Sequence, residues 1–123
     1  MKVAISVCNQ RISPVFDTTT KLLVVTFKNG KTTDRTICDL KKIDFFERLH
    51  RLQQLDIRIL ICGAISKPME NAIQSKRVQV ISHVCGYVEE VLQAFLTGQI
   101  TQSRFLMPGC VGKGGRRFRR GRP

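Results

Sequence analysis

The chain has no tryptophan, a single tyrosine and no Cys-x-x-Cys pair among its 123 residues. The missing pairs remove the usual signatures of a zinc ribbon or a thioredoxin-type redox site. No apolar run exceeds a few residues, whereas a bilayer-spanning helix needs about 20. Met1-Lys2 leads directly into strand-like Val3-Ala4-Ile5-Ser6-Val7, with no apolar h-region before a small-residue cleavage site. These absences predict a cytoplasmic protein with no membrane partner. There is no Gly-rich phosphate loop between a strand and a helix, because Gly112-Lys113-Gly114-Gly115 runs into arginines instead.

Acids are scarce as well. Nine Asp and Glu stand against 21 Lys and Arg, a net charge of +12. Six of the basic residues (Lys113, Arg116, Arg117, Arg119, Arg120 and Arg122) lie in the last eleven positions, which hold no acid. Residues 101 to 123 therefore read as a mobile, Gly/Arg-rich basic tail, and residues 1 to 100 as the folded domain. Arg116, Arg117, Arg119 and Arg120 form a partner-binding site for nucleic acid or an acidic protein surface, or else a solubilising end. Phe118 is the only aromatic beside them.

Five strands and three helices follow in order. Lys2 to Cys8 alternates as a strand, and Asn9 to Pro14 reads as a loop. Lys21 to Lys28 and Lys31 to Cys38 form a hairpin about Asn29-Gly30, the strongest short turn signal in a sequence. Ile43 to Gln54 reads as a helix with Phe46, Leu49 and Leu52 on its inner stripe and Ile43, Phe45 and Leu55 beside it. His50 falls on its polar side, near Arg48 and Arg51. Ile57 to Cys62 is an unalternating apolar run, as expected of a strand buried on both faces. Ser66 caps a second helix with Pro68 in its first turn. Val78 to Ile81 is the last strand, and a third helix runs from about Gly86 to Thr97 with Gly98 at its end. Right-handed crossovers then give an α/β fold: a ribonuclease-H-like, mixed five-stranded sheet in the order 3-2-1-4-5, flanked by three helices.

That order brings cysteines together. Cys8 ends strand 1, Cys62 ends strand 4 and Cys85 follows strand 5, so three adjacent strands deliver thiols to one edge about 4.8 Å apart. Cys62-Gly63 and Cys85-Gly86 each precede a helix, whose N-terminus favours a thiolate. Such an edge suits a soft metal or a metal–sulfur cluster. Cys110 on the tail is a candidate closing ligand, and His83 stands near the same edge. Each cysteine taken singly is better explained as a small, inert core residue; it is three on one edge that favours a ligand set. A nuclease, the other use of this topology, needs several inward carboxylates where this chain has cysteines. Asp17 is the only acid near the first loop.

The chain resembles the dinitrogenase iron–molybdenum cofactor biosynthesis family, of the NifX/NifB-C-terminal type. The resemblance covers residues 1 to about 112. It rests on Met1-Lys2-Val3-Ala4-Ile5, Arg11-Ile12-Ser13-Pro14-Val15-Phe16, Cys62-Gly63-Ala64-Ile65, Val88-Glu89-Glu90-Val91, Phe95-Leu96-Thr97-Gly98 and Met107-Pro108-Gly109-Cys110. It implies a non-enzymatic domain that carries or scaffolds an iron–sulfur or molybdenum–iron–sulfur cluster between a donor and an acceptor protein. Cys8, Cys62, Cys85 and Cys110 would ligate the metal, and Ser13, Phe16, Gly63, His83 and Gly86 would contact the cluster. Relatives carry Pro-His-Phe-Gly where this chain has Pro14-Val15-Phe16-Asp17, so a histidine contact is replaced here. The residues alone leave two alternatives open: a basic nucleic-acid- or protein-binding module with inert cysteines, and a zinc or thiol-redox protein.

Overall fold

A computed structural model describes residues 1–41 and 44–98. Cys110, Arg116, Arg117, Arg119 and Arg120 lie outside them, as does Ile43. Among the described residues, six strands and three helices follow one another: β1 Lys2–Cys8, β2 Arg11–Ile12, β3 Lys21–Lys28, β4 Lys31–Asp39, α1 Phe45–Gln54, β5 Ile59–Ile61, α2 Lys67–Ser75, β6 Gln79–Ile81 and α3 Val88–Leu96. A single turn of 3-10 helix, Phe16–Thr18, sits between β2 and β3.

The sheet runs β4-β3-β1-β5-β6. Strands β1, β5 and β6 are parallel, while β3 and β4 join antiparallel. This is the strand order expected from the pattern of elements, with one addition. β2 is a sixth strand where a loop was expected. It turns back on the end of β1, pairing Val7 with Ile12 and Cys8 with Arg11. The two residues between have positive φ, 52° at Asn9 and 63° at Gln10. That is the geometry of a tight two-residue hairpin whose twist matches its flanking strands. Asn29-Gly30 uses the same geometry, with φ of 53° and 76°. The second hairpin carries the glycine that makes it readable; the first does not.

Alternation along the strands divides the core into two layers. Val3, Ile5, Leu23, Val25 and Ile61 meet Val88, Val91 and Leu92 of α3 on one face. Ala4, Leu22, Val24, Leu60 and Cys62 meet Leu49 and Leu52 of α1 and Met69 and Ile73 of α2 on the other. Helix α1 starts later than expected because Asp44 closes a capping box with Glu47. The packed face runs through Phe45, Arg48, Leu49 and Leu52. Phe46, expected inside, is 75 % exposed, and the polar-looking Arg48 is buried instead. Ser66 caps α2 as expected, its side chain accepting from the Met69 amide. Among the described residues no helix is long and apolar enough to cross a membrane.

Candidate functional site

The carboxyl ends of β1, β5 and β6 are roofed by returning chain. After β2, the Ser13 amide donates to the Ser6 carbonyl at 3.0 Å. The chain then crosses to the end of β5. There the Ala64 amide donates to Pro14 O, and the Phe16 amide to Ala64 O, each at 2.8 Å. This short parallel bridge of Val15 with Ala64 lays Ser13 and Pro14 directly on Gly63. A Cβ at Gly63 would stand 2.5 Å from both the Ser13 and Pro14 carbonyl oxygens. The sequence suggests that Gly63 lets a ligand approach; the structure fills that space with the chain's own backbone.

The same roof settles where Cys62 points. β5 does lie between β1 and β6, as expected, yet the Cys62 side chain turns into the core on the α1/α2 face and is fully buried. Burial pushes its thiol far above the ordinary range, and the nearby carboxylates of Glu70 and Asp17 push it further the same way. It stands as a core thiol rather than at the open centre of a three-cysteine edge. Phe16, expected to contact a cluster, is likewise fully buried beside it. Ser6 faces the same layer, its hydroxyl fully buried and without a hydrogen-bond partner among the described residues.

Cys8 and Cys85 fare differently. Cys8 is exposed at the end of β1 and Cys85 is half-buried. The two are not neighbours across adjacent strands, because β2 occupies the place between. The Ile12 amide donates to Gly86 O at 3.0 Å, the Val88 amide donates to Gln10 O at 2.8 Å, and Arg11 forms a bridge with Tyr87. The Arg11 guanidinium lies 4.6 Å from the centre of the Tyr87 ring, a cation–π contact at the surface. Gly86 takes a φ of 120°, which its lack of a side chain permits. His83 is exposed, and its Nδ1 lies 3.0 Å from the Ser82 hydroxyl. Its amide donates to Gly63 O at 2.8 Å. Cys38 sits two strands from β1, half-buried, with its sulfur 3.4 Å from Arg51 Nη1. Among the described residues no three His, Cys, Asp or Glu side chains gather closely enough to hold a metal ion.

Two residues matter here beyond those that sequence reasoning singled out. Asp17 accepts from the Ser66 amide at 2.9 Å and from the Ser66 hydroxyl at 2.6 Å, tying the roof to the start of α2. Arg48 reaches through the core from α1 and donates to Thr19 O at 2.7 Å, with Phe16 O at 3.5 Å. Burial lowers its pKa, an effect that Asp17 partly opposes. The available signal was an acid alone in the first loop and an arginine at helical spacing from Leu52.

A mixed sheet with α1 and α2 on one face and α3 on the other, with an exposed Cys8 and a half-buried Cys85 beside its carboxyl edge, defines an α/β domain of the mixed-sheet class. The particular family follows from the sequence. The chain belongs to the dinitrogenase iron–molybdenum cofactor family, whose model matches residues 1–98. No curated protein sequence matches it. Solved structures share the fold. PH0822 is 17 % identical, with a TM-score of 0.76 over 80 % of this chain and 91 % of its own. A Methanocaldococcus jannaschii protein, provisionally described as a dinitrogenase, is 20 % identical, with a TM-score of 0.68 over 80 % and 90 %. The apo form of the orange protein of Desulfovibrio gigas is 18 % identical, with a TM-score of 0.65 over 80 % and 88 %.

Proposed function

We propose that this domain carries a metal–sulfur cluster, or a fragment of one, between a donor and an acceptor protein and performs no catalysis itself. Membership of the cofactor family across residues 1–98 is the observation that carries this reading. The strand order, read as ribonuclease-H-like, fits it. The cargo is of the iron–sulfur or molybdenum–iron–sulfur type and rests against the β2 edge, where Cys8 and Cys85 offer the thiolates, with Cys110 as a further ligand. A surface site with few donors, laid on the outside of the roof, suits a carrier, since a cluster must leave as readily as it arrives. Cys62 has no ligand role in this reading; its burial makes it part of the support.

Anaerobic reconstitution of the whole chain with iron and sulfide tests this, with visible absorption and bound metal as readouts. Wild type and Cys62→Ala are expected to load, and Cys8→Ser with Cys85→Ser is expected to lose most of the bound metal. Failure of wild type to bind metal, or full loading of a Cys8, Cys85 and Cys110 triple variant, would sink the proposal. Zinc at one per chain without sulfide would move the assignment to a zinc protein.

A further inference from the structure

The opposite end of the sheet is open. At the amino ends of β1, β5 and β6 lies a groove of about 640 Å³ whose lining includes Lys2, Thr26, Asp56, Arg58, Arg77 and Gln79. The ladder sets these residues side by side. The Arg58 amide donates to Lys2 O at 2.9 Å, the Gln79 amide donates to Arg58 O at 3.0 Å, and Thr26 pairs with Lys2 across to β3. Asp56 and Arg77 occupy matching joints, where α1 and α2 give way to the strands. Each amide donates to a helix carbonyl at 3.0 Å, Gln53 O for Asp56 and Gln74 O for Arg77. Each residue has a left-handed backbone, with φ of 57° and 66°. Glycine or asparagine is the usual occupant of such a joint, so a long cation there is held against its backbone preference.

Three cationic side chains and one carboxylate thus line the groove, beside the Met1 α-ammonium, which donates to Phe27 O. Among the described residues none of the three cations forms an ion pair. Among the described residues no aromatic side chain lines it to stack a base, so the charge, not a ring, is what they offer a ligand. The volume is that of a small-molecule site, and guanidinium forks match phosphate oxygens two at a time. We propose that this groove binds a short polyphosphate, either free pyrophosphate or the phosphate chain of a nucleotide. The site is separate from the cysteine edge and does not depend on cluster binding.

Calorimetric titration of the whole chain at low salt, with pyrophosphate and with ADP as probes, tests it. One saturable site per chain is expected, weakened about tenfold or more in Arg58→Gln with Arg77→Gln. It should be little changed when Arg116, Arg117, Arg119 and Arg120 are all replaced by Gln. ADP binding several-fold tighter than pyrophosphate identifies a nucleotide as the source; equal affinities identify the free polyphosphate. In the wild-type chain, pyrophosphate should protect the Lys2 amine from acetylation, which requires no variant to fold. The proposal is overturned by absence of saturable binding, by loss confined to the tail variant, or by binding of single-stranded RNA without any of pyrophosphate.

Discussion

The two ends of one parallel sheet are built in opposite ways. At the carboxyl ends of β1, β5 and β6 the chain folds back three times, as β2, as the Pro14–Phe16 crossing and as the segment before α3, and stitches each return with backbone hydrogen bonds. At the amino ends α1 and α2 pass into their strands through short joints that leave a groove. The closed end carries glycine and a buried thiol; the open end carries arginine and lysine. Cys62, at the carboxyl end of β5, is therefore at the edge of the sheet without being at the surface, whereas Cys8, at the end of β1, is exposed. Accessibility is set by the returning loops, not by the strand order.

The contrast breaks most directly at Gly63. Gly63→Ala would place a methyl 2.5 Å from two carbonyl oxygens of the roof, and backbone cannot yield as a flexible side chain can. A loss of about 3 kcal/mol is expected, since overpacking typically costs about 1–3 and occasionally more. Urea unfolding should show a lower midpoint at unchanged slope. A loss below about 1 kcal/mol would mean that the roof is loosely laid, and the two ends would then differ less than they appear in structure.

The roof is also where the sequence was least legible. Strand order, the Asn29-Gly30 hairpin, the Ser66 cap and the helix end at Gly98 each rest on a strong local signal, and each is present. The Asn9-Gln10 hairpin lacks glycine, and its second strand has two residues, too few to show an alternation. Strand order alone sets Cys8, Cys62 and Cys85 in a row, which β2 and the Ser13–Phe16 crossing interrupt. The shift of Phe46 outward and Arg48 inward has a different cause. Either of two adjacent phenylalanines can extend the Leu49–Leu52 stripe, and packing against the sheet takes Phe45 with Arg48 rather than Phe46. The Phe45 and Phe46 rings meet edge-on, 5.2 Å apart, with Phe45 half-buried against the core and Phe46 in solvent.

Arg48 offers the next largest effect. Arg48→Met keeps much of the buried stem but strands the Thr19 carbonyl, which now accepts a charge-assisted hydrogen bond at 2.7 Å. About 2 kcal/mol of stability should be lost. Hydrogen exchange should rise first in the Phe16–Thr18 turn, ahead of the sheet. Uniform loosening of the whole chain would instead mean that Arg48 supports the core generally and does not pin the roof.

Cys62 sharpens the comparison through pH. An unfolded thiol loses its proton near pH 8.5, while in the fold burial holds the proton on to much higher pH. Above about pH 8.5 the unfolded state therefore binds fewer protons than the native state, and stability falls as pH rises. The slope approaches about 1.4 kcal/mol per pH unit. Stability is retained below that window and lost through it on the way up to the folded pKa. Denaturant midpoints between about pH 8 and 10 should show the fall in wild type and a flatter profile in Cys62→Ala. An equally steep profile in the variant would place the titrating group elsewhere.

The smallest effect has the opposite sign and lies at the open end. Arg77→Gly removes a side chain from a backbone with φ of 66°, where a β-carbon is disfavoured by roughly 1–2 kcal/mol. The added freedom of glycine in the unfolded chain returns part of this, so a net gain of about 0.5 kcal/mol is expected. If the groove binds polyphosphate, the same substitution should weaken that binding as it stabilises the protein. A residue that costs stability where it stands is then retained for what it holds. If Arg77→Gly leaves stability unchanged or lowers it, Arg77 is supporting the α2 joint. The left-handed backbone at residue 77 would then be no sign of a binding role, and the groove would rest on its charges alone.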